Sequence, residues 1–345
     1  MSGGVDSSLA AALLQRQGYD VTGVYMKNWT EDLPGMQCPW RDDLADAKRV
    51  AVQLNIPFKV YDFQTEYKHK VVDYMIAEYR AGRTPNPDIM CNQEVKFKLF
   101  LETALEDGAD KIATGHYARI GRIEAAKDAH QPQLLQAADT TKDQTYFLYR
   151  VSEAALAKTL FPIGDIATKA EVRKLARDIS LSTADKKDSQ GICFVGKVGI
   201  KEFLSQYVEA GPGDIIDKKS GKVIGQHDGA IFYTFGQRHG LDVGGGLPYY
   251  VVGKNMAANE IYVTTNLNDE TMWHKELALT DLYWINKPPT TDTTYQVRLR
   301  HRAPLINCTF DGETLDLSIS QRAIAPGQSA VLYDGETVLG GGVVV

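Results

Sequence analysis

The first 116 residues alternate between short apolar runs and longer amphipathic segments, and this alternation constrains the fold more than any other feature. Helices are predicted over 7–17, 42–54, 67–81 and 95–106, and strands over 21–26, 56–63 and 111–114. Gly18 is predicted to end the first helix. Because strands that are separated by helices of this length are joined by right-handed crossovers, the pattern predicts a doubly wound, mostly parallel sheet of the α/β class.

The regular alternation of predicted helices and strands ends at about residue 118. A hairpin is predicted on either side of the polar stretch 127–133, and Thr168 and Glu171 fit a capping box at the start of a helix. Glycine and proline become denser from about residue 199. Short alternating runs follow from about residue 277, at 295–299, 314–319 and 330–332, and they predict a separate β module.

Composition narrows the class of protein. A length of 345 residues suits two or three modules, and 43% hydrophobic with 24% charged residues is typical of a globular chain. There is no run of 18 apolar residues, no secretory signal pattern and only four cysteines. We therefore expect a soluble, cytoplasmic protein that does not bind membranes. The net charge of −6 confines any nucleic-acid contact to local basic patches.

A glycine-rich segment, Ser2-Gly3-Gly4-Val5-Asp6-Ser7-Ser8, stands directly before the first predicted helix. Adjacent glycines let the backbone approach a polyanion, and the amide groups of a helix N-terminus bind it. Asp6 is placed either to cap the helix or to hold a magnesium ion. A simple glycine-rich turn is the alternative interpretation. The segment is not a Walker motif, since G-x-x-x-x-G-K-[ST] is absent.

Two of the four cysteines lie in sequence contexts that are compatible with a reactive thiol. Cys91 follows a proline-rich loop, just before a helix predicted to begin near Asn92, and a helix N-terminus lowers the pKa of a thiol. Cys193 follows a glycine in a polar segment. Both would otherwise be small buried hydrophobes, the usual role of a free cysteine. Cys38 and Cys308 are predicted to be structural, and the absence of C-x-x-C pairs argues against a zinc ribbon.

Eight segments in order resemble those of bacterial tRNA-uridine 2-sulfurtransferases, members of the PP-loop ATP pyrophosphatase superfamily. The resemblance covers essentially the whole chain and is carried by residues 2–8, 84–92, 113–119, 142–148, 188–194, 236–241, 252–255 and 339–342. It implies a PP-loop ATP-binding catalytic domain over 1–197, a small central domain over 198–268 and a C-terminal β-barrel that contacts tRNA over 269–345.

The chain departs from the family pattern at its start. In the family a buried strand and a further glycine precede the serine of the loop, whereas here Met1 directly precedes Ser2. This arrangement suggests an internal or misplaced start. A missing central strand removes one wall of the nucleotide site, so we expect weaker ATP binding and lower stability than in a chain extended upstream.

The resemblance also implies the chemistry. ATP, with magnesium, adenylates the 2-oxygen of the wobble uridine, and sulfur then reaches C2 while pyrophosphate and AMP are released. Cys193 accepts sulfur as a persulfide from a donor protein, Cys91 is the partner nucleophile and Asp88 is the acid/base. The sulfur arrives directly or after release as sulfide, and the two cysteines finish as a disulfide. The implied nucleotide site consists of Ser2, Gly3, Gly4, Val5, Asp6, Ser7, Met26 and Gly115.

Local cation clusters mark where tRNA is expected to lie. The alternation of Arg298, Arg300 and Arg302 on a predicted strand places three guanidinium groups on one face, although a solvated strand edge is the alternative. Lys169, Arg173, Lys174 and Arg177 form a basic helix face that is expected to be solvated. The resemblance implies tRNA contacts by Asn86, Pro87, Asp88, Lys142, Asp143, Gln144, Arg298, Arg300 and His301.

Two other functions remain open at this stage. An amidotransferase-type synthetase that adenylates a small molecule would use the same phosphate loop, but it would leave Cys91, Cys193 and the Arg298 cluster without a purpose. A non-catalytic tRNA-binding protein with a degenerate nucleotide site is the second alternative. Pyrophosphate release that depends on tRNA separates both from a sulfurtransferase.

Overall fold

The computed structural model describes residues 1–32, 38–122, 131–188, 199–244 and 246–345. Its first part contains helices and strands in alternation, as predicted. Helix α1 begins two residues earlier than predicted, and Gly18, with a φ of 90°, follows its end. The elements are α1 (Val5–Arg16), β1 (Gly23–Lys27), α2 (Trp40–Leu54), β2 (Phe58–Asp62), α3 (Gln64–Tyr67), α4 (Asp73–Arg80), α5 (Pro87–Met90), α6 (Phe100–Glu106) and β3 (Ile112–Ala113).

Strand pairing in this part is parallel, which confirms the prediction. β1 pairs with β2, and β3 pairs with β6 (Thr159–Leu160), each in parallel. The two pairs are not hydrogen-bonded to each other among the described residues. The amino group of Met1 donates a hydrogen bond to the carbonyl of Val24 on β1. Apolar faces of the helices, including Val71, Met75 and Val95, pack into the core beside these strands.

Two helices are longer than predicted because π-helical turns join their α-helical parts. Residues Lys68–Val72 connect α3 to α4, and Cys91–Leu99 connect α5 to α6. The second helix therefore runs without a break from Pro87 to Glu106. Its predicted start near Asn92 is wrong, because Pro87 occupies the first helical turn, where a missing N–H costs nothing. Cys91 consequently lies inside the helix and not at its N-terminus.

A β-hairpin connects the first part of the chain to the last. Strands β4 (Arg119–Arg122) and β5 (Pro132–Leu135) are antiparallel, which confirms the predicted hairpin. β5 also pairs with the last strand of the chain, with Leu134 opposite Val338. Helices α7 (Glu153–Ala157) and α8 (Lys169–Asp178) follow. The Thr168 hydroxyl accepts a hydrogen bond from the amide of Glu171 at 3.1 Å, as the capping box predicts.

The remainder forms a small mixed sheet and a barrel. After α9 (Ile200–Leu204), a four-stranded sheet has the order β8-β7-β10-β9, in which only β7 and β10 are parallel. Six antiparallel strands, β11 to β16, then close into a barrel through the β11–β16 pairing. The strands are β7 (Gly213–Asp217), β8 (Val223–His227), β9 (Tyr250–Asn255), β10 (Glu260–Thr264), β11 (Trp273–Trp284), β12 (Tyr295–Arg298), β13 (Ile306–Phe310), β14 (Thr314–Arg322), β15 (Ser329–Asp334) and β16 (Thr337–Val344).

The architecture confirms the predicted fold class: an α/β domain with parallel strands, a small central domain and a C-terminal β-barrel. Within the described ranges, no helix is both long and apolar enough to cross a lipid bilayer.

Candidate active site

The phosphate loop folds tightly around the start of α1. Gly4 is the N-cap residue, with extended backbone, and the Ser7 hydroxyl donates to its carbonyl at 3.2 Å. The amide of Ser2 donates to the Ser7 hydroxyl at 3.0 Å. Gly3 has a φ of 73°, and a Cβ atom there would collide with the backbone of Asp43. The loop therefore requires glycine, and the first amides of α1 have no acceptor within the helix.

Gly115 closes the other side of this loop. A Cβ atom on Gly115 would lie 2.6 Å from the amide nitrogen of Ser7 and 2.7 Å from the carbonyl carbon of Asp6. The backbone of the segment after β3 thus packs directly on the phosphate loop, and two of the predicted nucleotide-binding segments come together. Met26 lies on β1, partly buried against the main core.

Asp6 does not cap α1, since it lies inside the first turn and no side chain caps that helix. Its carboxylate instead accepts hydrogen bonds from Lys169 Nζ, 2.7 Å from each oxygen, and from the Tyr117 hydroxyl at 2.8 Å. Lys169 is the first residue of α8. Its ammonium also lies 3.0 Å from Asp188 Oδ1, and the sequence did not predict this ion-pair cluster.

Asp188, the last described residue before position 189, forms ion pairs with three cations. Lys169, Lys142 and Arg173 approach its carboxylate at 3.0, 3.4 and 2.8 Å. Burial alone would raise the pKa of Asp188, but the hydrogen bond and charge of Lys169 and the charges of the other two cations hold this pKa below its usual value. Cys193, the predicted persulfide carrier, lies outside the described residues, in the stretch that follows Asp188.

Cys91 and Asp88 lie on one helix, three residues apart, so both project from the same face. The Asn86 side chain caps that helix by accepting from the amide of Asp88 at 3.2 Å. The expectation of a lowered Cys91 pKa is wrong: burial raises the pKa of this thiol, and the charge of Lys96 and a hydrogen bond from Tyr67 only partly oppose that effect. Burial likewise raises the pKa of Asp88.

Lys96 is a functional candidate that the sequence analysis missed. It lies five residues after Cys91 in the π-helical segment, and its positive charge acts on Asp88, Cys91 and His116. Burial, with help from Lys96, keeps the pKa of His116 well below its usual value. His116 Nδ1 lies 2.8 Å from the Thr114 hydroxyl, and this hydrogen bond orients the ring.

The predicted arginine face in the C-terminal barrel is wrong. β12 ends at Arg298, and the residues after it form a turn in which Arg302 has a φ of 63°. Arg298 is buried, and its Nη1 donates to Asp143 Oδ2 at 2.7 Å, with side chains 8% and 0% exposed. Two residues predicted to touch tRNA therefore bind each other in the interior. The reason is that a buried carboxylate requires a partner, and Arg298 supplies it.

Except for Pro87, the other predicted tRNA residues named here lie nearer the surface. Arg300 is exposed and donates to the carbonyls of Arg322 and Ala323. His301 packs on Phe147, with ring centroids 4.4 Å apart. Lys142 binds Asp188, as described above, and the Gln144 side chain accepts from the amide of Tyr117 at 3.0 Å. Pro87 is buried at the start of its helix.

The surroundings of Cys38 and Cys308 give no evidence of a metal site among the described residues. Cys308 is buried in the barrel, and burial raises its pKa to about 11, whereas Cys38 is partly buried. Within the ranges that the structure describes, no three His, Cys, Asp or Glu side chains are grouped to hold a metal ion.

Family models match nearly the whole chain. Residues 1–197 match the model described as the tRNA methyl transferase HUP domain. Residues 201–265 match the tRNA methyl transferase PRC-barrel domain, and residues 274–344 match the aminomethyltransferase beta-barrel domain. The three matches follow the order of the α/β part, the four-stranded sheet and the closed barrel.

Curated relatives align over the full length of the chain. The tRNA-specific 2-thiouridylase MnmA of Oceanobacillus iheyensis is 47% identical over 351 residues, which covers 100% of this chain and 93% of the relative. The enzymes of the same name from Stenotrophomonas maltophilia and Bacillus subtilis are 47% and 45% identical, again over 100% of this chain and 92% and 93% of the relatives. The chain therefore belongs to the tRNA-specific 2-thiouridylase family.

Proposed function

We propose that this protein is a tRNA-uridine 2-sulfurtransferase that thiolates the wobble uridine at the expense of ATP. The observation that carries the proposal is the phosphate loop at the start of α1, against which the backbone of Gly115 packs, in a chain whose relatives are named tRNA-specific 2-thiouridylases. A loop that requires glycine and a helix with free amide groups suit the phosphates of ATP.

The first half of the reaction activates the substrate. The 2-oxygen of uridine attacks the α-phosphorus of ATP, the bond from that phosphorus to the bridging oxygen breaks, and pyrophosphate leaves. The former carbonyl oxygen is now part of a good leaving group, AMP, so C2 becomes open to attack by sulfur. The amides at the start of α1 are proposed to hold the phosphates while charge develops on the leaving pyrophosphate.

The second half transfers sulfur. The terminal sulfur of a Cys193 persulfide attacks C2, and the bond from C2 to the AMP oxygen breaks. The Cys91 thiolate then attacks the Cys193 sulfur, which forms the Cys91–Cys193 disulfide and leaves the transferred sulfur on C2. In the alternative order, Cys91 first releases sulfide, which attacks C2. Either route requires an external thiol to reduce the disulfide before the next turnover.

The raised pKa values of Cys91 and Asp88 support the proposal that the two residues have complementary roles. A buried thiol with a raised pKa is protonated in the resting enzyme, so it reacts only after a base removes its proton. Asp88 lies on the same face of the helix, and its raised pKa suits a group that accepts and returns a proton. Asp88 is therefore the proposed acid/base.

Recognition of tRNA is proposed for the predicted residues other than Asp143 and Arg298. Asn86, Pro87 and Asp88 precede Cys91 and are proposed to contact the target base, which must leave the stack of the anticodon loop to be reached. Lys142, Gln144, Arg300 and His301 are proposed to contact the surrounding tRNA. Asp143 and Arg298 are assigned to the interior instead.

The remaining partners follow from the chemistry. The carboxylate of Asp6 accepts hydrogen bonds from Lys169, so it is not free to bind a magnesium ion in this arrangement. The magnesium ion that accompanies ATP is proposed to bind to the phosphates of ATP. A persulfide-bearing protein is the proposed sulfur donor. Because the reaction uses tRNA and free thiols, we place it in the cytoplasm.

The test is whether ATP cleavage requires a correct tRNA. Purified protein is incubated with ATP and an unmodified transcript, and AMP and pyrophosphate are quantified with and without a persulfide donor. With a wobble uridine we expect pyrophosphate whether or not the donor is present, and AMP only when the donor is present. We expect neither product with a matched transcript that carries cytidine there. Equal cleavage without tRNA would favour the small-molecule synthetase, and no cleavage under any condition would favour a non-catalytic tRNA-binding protein.

A further inference from the structure

Asn92, the residue after Cys91, carries a buried acceptor that no described residue satisfies. Asn92 is only 2% exposed, and its Nδ2 atom donates to the carbonyl of Phe147 at 3.1 Å. Because a carbonyl oxygen can only accept, this bond fixes which end of the amide is the oxygen. That oxygen, Oδ1, is buried and has no hydrogen-bond partner among the described residues. Buried acceptors are nearly always paired, so this one requires an explanation.

The position of Asn92 indicates what would pair with its oxygen. Asn92 follows Asp88 by four residues in the same continuous helix, so the two side chains are neighbours about one turn apart. Cys91, the adjacent residue, is as deeply buried, at 3% exposed. In the proposed reaction the target base has to reach both Asp88 and Cys91. The opening that admits the base to these two residues brings it close to Asn92 as well.

A fixed acceptor at this place matches one edge of uracil. In a uridine the uracil ring has a single N–H donor, N3–H, and N3 is bonded to C2, the carbon that receives sulfur. Cytosine carries an unprotonated N3 at the same position, which can only accept a hydrogen bond. Once C2 faces the sulfur, an acceptor beside Cys91 would therefore bind uracil and would be left unpaired opposite cytosine.

We propose that Asn92 Oδ1 accepts a hydrogen bond from N3–H of the target uridine and thereby selects uridine over cytidine, an inference that rests on the proposed function. The carbonyl of Phe147 holds the amide in place before the base arrives, so the acceptor is already oriented for it. The ring of Phe147 packs on His301, which is proposed to contact tRNA. Asn92 is thus a specificity-determining residue, and it takes up no proton itself.

The test compares tRNAs that differ only in the wobble base. Dissociation constants are measured for transcripts that carry uridine, N3-methyluridine or cytidine there, with α,β-methylene-ATP, an analogue that cannot release pyrophosphate. Asn92→Leu removes the acceptor and keeps a side chain of similar size, whereas Asn92→Asp keeps an oxygen acceptor. Gln93→Leu removes the amide of the next residue and is the matched control. Thermal melting checks that each variant folds.

The proposal predicts a preference that depends on the acceptor. The wild type and Gln93→Leu bind the uridine transcript roughly ten- to a hundredfold more tightly than either other transcript. Asn92→Asp keeps this preference, and Asn92→Leu reduces it roughly tenfold. An unchanged preference in Asn92→Leu overturns the inference, and so does an equal loss of affinity for all three transcripts, which a merely structural role would produce. If Asn92→Leu does not fold, the other two proteins decide, because a missing preference in the wild type or in Asn92→Asp also overturns the inference.

Pyrophosphate release with ATP separates this inference from the proposed function. If the wild type releases pyrophosphate with the uridine transcript but binds all three transcripts equally well, the inference alone is wrong. If it releases none with any transcript, the ATP-dependent function itself is wrong, and the inference fails with it.

Discussion

Arg298→Met should destabilise the protein and leave its electrostatic contact with tRNA intact. The substitution removes the guanidinium that binds Asp143 at 2.7 Å and keeps a side chain of similar length. Asp143 is buried, and after the change its carboxylate keeps, among the residues that the structure describes, the amide of Ala137 and the hydroxyl of Thr145 as donors. A buried charge without a counterion is expensive, so the folded state loses free energy.

The size of the effect follows from this geometry. Removing one partner of a buried ion pair typically costs about 3–5 kcal/mol, and because two donors to Asp143 remain, we expect a cost of about 3 kcal/mol. Asp143→Asn/Arg298→Met removes both charges and keeps an acceptor for Thr145. The double variant should therefore lose less free energy of unfolding than the sum of the two single variants.

The assay is urea unfolding followed by circular dichroism. The control is Arg302→Met, which replaces an exposed arginine in the turn after Arg298. Arg302→Met should shift the free energy of unfolding by no more than about 0.5 kcal/mol. The slope of log Kd for tRNA against log salt should be the same in wild type and Arg298→Met, since Arg298 contacts no phosphate. An unchanged unfolding midpoint with a lower salt slope would refute the buried assignment and restore the predicted phosphate contact.

Three further predictions concern the site. Gly115→Ala should weaken ATP binding roughly tenfold, measured by calorimetry, because the new Cβ would lie 2.6 Å from the Ser7 amide nitrogen. Lys96→Met should raise the pKa of the Cys91 thiol, measured from the pH dependence of its alkylation, because a cation that favours the thiolate is lost. The fold keeps the pKa of His301 at about 4, below its ordinary 6.5, so the unfolded chain takes up this proton first. Stability should therefore fall as the pH drops from 6.5 towards 4, and His301→Gln should flatten that fall in urea titrations.

Each of these predictions has a control. Gly211 faces open space, so Gly211→Ala should bind ATP normally, and normal binding by Gly115→Ala as well would contradict the packing argument. Lys98→Met removes an exposed cation from the same helix and should leave the Cys91 thiol unchanged. The account of Lys96 is wrong if both lysine variants behave as wild type. Identical acid profiles for wild type and His301→Gln would rule out the burial effect.

Local patterns predicted the elements of the fold because their physical causes are local. The period of apolar residues located the helices of the first part, and Gly18 marked the end of α1. The predicted start of the helix that carries Cys91 is wrong because two nearby prolines are typical of a loop. The same segment also contains a pattern typical of a helix start, because Asn86 is the N-cap residue and Pro87 lies in the first helical turn.

Ion pairs between residues that are far apart in the chain could not be predicted from the sequence. Asp143 and Arg298 are 155 positions apart, and nothing near either residue indicates that the other will lie beside it. Lys169 and Asp6 are 163 positions apart. Alternating arginines looked like an exposed strand because the pattern cannot show that β12 ends at Arg298. Charged residues reveal their burial only when the tertiary structure brings in the counterion.

The most direct test of the central claim is to locate the sulfur. An unmodified tRNA transcript is incubated with the protein, ATP and a persulfide donor, and its nuclease fragments are analysed by mass spectrometry alongside Cys91→Ser and Cys193→Ser variants. The account predicts 2-thiouridine at the wobble position with the wild type alone, and only when ATP is present. Thiolation that persists without ATP or in either cysteine variant, or sulfur found at another position, would contradict it.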